Sequence, residues 1–171
     1  MLFIQHELQR TAQNLVADNI KNDEHVLIVS SSDQSKELID AIVSAASSTS
    51  AASVSAIIIA CPEDLKDYKH PPPVIASVKS ADLTIVATTL RFPRAYDDLS
   101  EALFKAGKRQ VLINNAPLED FTRGASLADP IELNRRTHAL AGKISEGKIV
   151  RVKSESGTDL SVKVCRPCIA L

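Results

Sequence analysis

His25-Val26-Leu27-Ile28-Val29 is an unbroken aliphatic run, entered from the turn signal Asn22-Asp23 and left through Ser30-Ser31-Ser32-Asp33. Apolar residues at successive positions point to both faces of a strand, so this strand belongs inside a sheet covered on two sides. The serine-rich exit opens a helix whose Leu38, Ile39, Ile42, Val43 and Ala46 recur at helical spacing, with Asp33 placed as its N-cap. The same step from apolar run to amphipathic helix recurs along the chain, which predicts parallel strands joined by crossover helices.

Outward from that unit, residues 5–21 carry Leu8, Ala12, Leu15, Val16 and Ile20 on one helical face. Further strands are expected at 54–60, 83–87 and 110–114. Between the second and third, Pro71-Pro72-Pro73 reads as a stiff extended piece ahead of a short helix at 74–80. A helix over 94–106 places Tyr96, Leu99 and Leu103 on one face and stops at Gly107. Asp129-Pro130 opens another, ended by Gly147, with Leu133, Thr137, Leu140 and Ile144 as its inner face. Beyond it the period changes to two: Val150 and Val152, then Leu160, Val162 and Val164, alternate with polar residues around the turn Glu155-Ser156-Gly157-Thr158-Asp159. The expected fold is α/β: a mostly parallel, four-stranded, Rossmann-like sheet flanked by helices, with a carboxy-terminal β-hairpin. It is read as one domain, with the helix-flanked sheet at 1–147, the hairpin at 148–164 and a tail at 165–171.

A chain of 171 residues is long enough to bury a full core, and the low aromatic content, 4% with no Trp, makes that core aliphatic. A net charge of -1 without a basic run argues against a nucleic-acid partner. No stretch has the length of a membrane span and the start lacks a signal peptide's basic and apolar regions, so the expected location is the cytoplasm. Three cysteines, an odd number, predict thiols rather than a disulfide framework.

In an open α/β sheet, ligands gather at the carboxyl ends of the strands. Those ends put Ser31, Ser32, Thr88 and Thr89 forward as contacts for a small polar ligand, with Arg91 supplying charge. The plainer reading of the hydroxyls is helix capping and tight turns. Arg94 would supply charge in the same way, and both arginines are equally well explained as solvent-facing residues. No glycine-rich phosphate loop follows the first strand, and His6, His25, His70 and His138 stand apart as surface histidines without metal-ligand spacing. Asp97 and Asp98 read as solvated surface. Cys165-Arg166-Pro167-Cys168 trails a strand instead of opening a helix, unlike a redox CxxC. The terminal Cys168-Ile169-Ala170-Leu171 matches a prenylation box in form, with no polybasic stretch beside it.

Three stretches together resemble a known family: 22–29 after a leading helix, Ala81-Asp82-Leu83-Thr84-Ile85-Val86-Ala87-Thr88-Thr89, and the Ala128-Asp129 helix leading to Gly157-Thr158-Asp159-Leu160. Their order is similar to the amino-terminal part of the aminopeptidase T-like metalloenzymes, which include metallo-aminopeptidases and 2,5-dihydroxypyridine 5,6-dioxygenases. The resemblance implies that full-length relatives bind a divalent metal through a second half that has no counterpart here. It therefore implies no cofactor, catalytic residue or metal ligand in this chain, and a truncated or isolated domain. A stand-alone ligand-binding or oligomerisation domain is the alternative. The hairpin, with Leu160, Val162 and Val164 on one side, is the expected contact of a homo-oligomer.

Overall fold

The computed structural model describes residues 2–61, 68–89, 98–114 and 117–165. Their contacts form two compact units, Met1–Leu127 and Ala128–Leu171. The helix that begins at Pro130 groups with the hairpin.

The first unit is a four-stranded sheet in the order β2-β1-β3-β4, built from β1 (His25–Ser31), β2 (Ser53–Ile59), β3 (Leu83–Thr88) and β4 (Arg109–Asn114). All three pairings are parallel, as the alternation of strand and helix required. Helices α1 (Leu2–Ala17) and α2 (Lys36–Ser47) pack on one face, where Leu8, Ala12, Leu38 and Ile42 meet Val26, Ile28 and Ile85. On the other face α3 (Pro72–Ser80) and α4 (Asp98–Lys105) bring Val74, Val78, Leu99 and Leu103 against Leu27, Val29 and Val86. Every residue of β3, and every residue of β1 but His25, is therefore buried. Edge strand β2 buries only Ile59.

Four local readings change. Strand β1 runs on to Ser31, so the helix starts later and Ser35 is its N-cap, its Oγ accepting from the Leu38 N–H at 3.3 Å. Asp33 is left for another role. The triple proline is not wholly extended: α3 begins at Pro72 with Pro71 as its cap, because the first turn of a helix needs no N–H donors. Two 3-10 turns that no periodicity announces, Leu118–Phe121 and Gly124–Leu127, follow β4, and Phe121 is buried in the α1/α2 layer. The 94–106 helix is described from Asp98 onward and stops at Gly107, whose φ of 64° suits glycine; Arg94 and Tyr96 lie outside the described residues.

The second unit holds α5 (Pro130–Glu146) and an antiparallel pair, β5 (Ile149–Lys153) with β6 (Asp159–Lys163). Asp129 caps α5, accepting from the Ile131 N–H at 2.9 Å. The expected inner face of α5 is not an inner face: Leu133, Thr137 and Leu140 are exposed, and Ala141 is the buried residue of the helix. Among the described residues no helix is long and apolar enough to cross a membrane, and Cys61 and Cys165 are in no disulfide.

Candidate functional site

The chain passes from β1 outward to β2 and then back across to β3, so the strand order reverses between β1 and β3. Crevices in open α/β sheets form at the carboxyl ends of such a pair. Here the two ends are Ser31 and Thr88, the last residues of their strands and both buried. Just below them the buried Ser30 Oγ donates to the Ala87 carbonyl at 2.7 Å, fastening β1 to β3.

Above the sheet the hydroxyls converge on a carboxylate. The Thr89 hydroxyl donates to Asp33 Oδ2 at 2.5 Å and lies 3.3 Å from Ser31 Oγ, which also accepts from the Thr89 N–H at 3.3 Å. Ser32 Oγ accepts from the Cys61 N–H at 3.0 Å, and the Ser32 N–H donates to the Ile59 carbonyl at 2.8 Å, tying in the end of β2. The Thr89 hydroxyl first, and then that of Ser31, hold the Asp33 carboxyl below the usual range. The Cys61 thiol is pushed up, by desolvation first and then by the negative charge of Asp33, so it is a poor thiolate at neutral pH.

Of the residues singled out from sequence, Ser31 and Thr89 meet directly, Ser32 braces the β2 exit, and Thr88 sits buried at the end of β3. Arg91 lies outside the described residues. Asp33 was overlooked as a site residue because an aspartate one turn ahead of an apolar helix reads as a cap. The signal that favours Ser35 is Glu37 two residues on, which accepts from Ser35 Oγ at 2.8 Å.

A second polar group was missed altogether. His70 is buried rather than on the surface: its Nδ1 is 2.6 Å from Asp98 Oδ1, and its backbone N–H donates to Asp98 Oδ2 at 3.1 Å. The Tyr68 ring stands edge-on to the imidazole at 5.2 Å. Burial first, then the Asp98 charge, pushes the Tyr68 hydroxyl up. Asp98 therefore joins the loop before α3 to the start of α4 and is no solvated surface residue. Among the described residues no three His, Cys, Asp or Glu side chains converge as a metal site would require.

A parallel sheet wound on both faces, with hydroxyls and a carboxylate at the point where strand order reverses, defines a Rossmann-like α/β protein. The profile of the NicX family, 2,5-dihydroxypyridine 5,6-dioxygenase, matches residues 7–170, and the chain belongs to that family. Among curated protein sequences none matches. Of solved structures, 2,5-dihydroxypyridine dioxygenase from Pseudomonas putida superposes with a TM-score of 0.60 at 16% identity, over 94% of this chain and 48% of that one. AmpT from Thermus thermophilus superposes with a TM-score of 0.55 at 14% identity, over 93% of this chain and 53% of that one. The chain thus spans about half the length of these relatives and shares their fold.

Proposed function

We propose that this chain serves as the sheet-bearing portion of a NicX-type enzyme, contributing fold and assembly rather than catalysis of its own. The observation that carries this reading is the apolar surface of the second unit. Ile131, Leu133, Leu140, Ile149, Leu160 and Val162 all stand exposed on α5 and the hairpin, more than a solvated surface element needs. The proposed cover is another copy of the chain, docked through the hairpin. Purified protein supplied with Fe(II) should show neither ring opening of 2,5-dihydroxypyridine nor aminopeptidase activity, and should self-associate in light scattering. Turnover with stoichiometric metal would overturn the non-catalytic reading, and a strictly monomeric protein would overturn the assembly role.

A second reading assigns a small polar ligand to Ser31, Ser32, Thr88 and Thr89. Asp33 sharpens its chemistry: an ionised carboxylate at the crevice favours a ligand with N–H or O–H donors over an anion. Titrating small amines and polyols should move the amide resonances of Ser31 and Thr89. Shifts confined to residues 61–73 would count against it.

A further inference from the structure

We propose that the outer edge of β2 is a two-fold pairing surface, on which a second copy of this chain adds its own β2 antiparallel to the first. The backbone geometry supplies the first argument. The Ser32 N–H donates to the Ile59 carbonyl, so Ile59 turns its backbone toward β1. Successive residues of a strand turn their hydrogen-bonding groups to opposite sides. Ser53, Ser55 and Ile57 thus bond β1 as Ile59 does, while Val54, Ala56 and Ile58 turn their N–H and C=O outward. Among the described residues β2 pairs with β1 alone.

Those outward groups are symmetric about Ala56. In an antiparallel pair centred there, Ala56 faces the partner's Ala56, and Val54 faces the partner's Ile58. Each residue then donates its N–H to its opposite and accepts with its C=O. The small Ala56 side chain leaves the centre uncrowded, and Ile58, 55% exposed, gains Val54 as cover.

Charge supplies the second argument: across a two-fold axis an edge meets its own residues, so a charged edge would repel its copy and this one does not. Natural sheet edges are blunted by charged residues, prolines, bulges or shortness. Strand β2 is seven residues long, runs in unbroken register against β1, and lies in a stretch with no charged residue between Asp40 and Glu63. With no like charges to oppose it, the register centred on Ala56 is self-complementary, and a two-fold axis closes the contact instead of propagating it. This surface is separate from the hairpin and rests on different residues.

Sedimentation velocity on the full chain, with residue-level hydrogen exchange, tests the pairing. The wild-type chain should associate and protect the amides of Val54, Ala56 and Ile58. Ile58→Lys should weaken that association at least about tenfold by setting charges into the paired edge, and return the three amides to fast exchange. Ala56→Pro should do the same while keeping the wild-type circular dichroism, because the N–H it removes is not part of the β1 ladder. Val162→Lys, which disturbs the hairpin, should leave the β2 pair intact. The proposal is overturned by a monomeric wild-type chain, by fast exchange of the three amides in the assembled protein, or by unchanged association in both β2 variants. Complete dissociation by Val162→Lys alone would also overturn it and leave the hairpin as the contact; dissociation by the β2 variants with no effect of Val162→Lys would support it and retire the hairpin contact.

Discussion

In the sheet-bearing unit, Ile28, Leu38, Ile42 and Ile85 are all fully shielded from solvent, whereas in α5 and the hairpin Ile131 is 81% exposed and Leu140 58%. Both regions carry the same kinds of apolar residue at regular spacing. The periodicity of a segment therefore announces that it is amphipathic and does not say whether anything in the same chain covers it. The contrast is sharpest in energy. Ile85→Ala opens a cavity inside a packed layer and should cost about 2–5 kcal/mol, while Leu140→Ala on an exposed helix face should stay within about 0.5–1 kcal/mol. Urea unfolding of the two variants measures the difference, and equal losses would show that α5 is covered after all.

The next largest effect lies at the His70–Asp98 pair. Asp98→Ala takes from a buried imidazole and its backbone N–H the carboxylate that both contact, which should cost about 1–3 kcal/mol. Breaking the solvent-exposed pair of Lys105 with Glu101, one turn along the same helix, should cost far less, because water screens both charges. Similar thermal shifts for the two variants would mean that burial adds nothing to the His70 contact.

How far the sequence disclosed this fold follows from the same contrast. Strands β1 and β3 were legible because burial on both faces leaves an uninterrupted aliphatic run, and the cap and proline of α5 marked its start. The exposure of β2 was not, since Ile57, Ile58 and Ile59 read alike whether a strand is central or at an edge. At the candidate site the hydroxyls of Ser31 and Thr89 were found from topology, but Asp33 depends on β1 continuing two residues past its aliphatic run. His70 and Asp98 lie 28 positions apart, and no local pattern announces a contact at that separation.

Val162→Lys brings the comparison to the hairpin. At 47% exposure the side chain is no core residue, so the substitution should change the stability of the isolated chain by no more than about 0.5 kcal/mol. Its effect should appear in light scattering as weakened self-association. A loss of several kcal/mol with unchanged mass would put Val162 in a core.

The smallest effect separates two depressed carboxylates, one from each unit. Asp33 is held down chiefly by the hydroxyls of Thr89 and Ser31, and Glu132 by the guanidinium groups of Arg135 and then Arg136 on an exposed helix surface. For both, the folded state binds fewer protons than the unfolded state at pH values between the folded pKa and the ordinary carboxylate range, near about 4. Their contributions are therefore present above that range and lost as pH falls through the folded pKa, so stability should decline on the acid side. Salt tells them apart. Opposite charges at a solvated surface are screened at high ionic strength, whereas hydrogen bonds from neutral hydroxyls are not. Carboxyl titrations followed by NMR should show the Glu132 pKa climbing toward its ordinary value at about 0.5 M salt, where the Debye length is only a few ångströms, while Asp33 stays low. In Thr89→Val the Asp33 pKa should rise at any salt concentration, and more than in Ser31→Ala, because Thr89 is the larger of its two hydroxyl contributions. If Asp33 instead follows salt as Glu132 does, its carboxylate is held by a nearby cation rather than by the hydroxyls of the crevice.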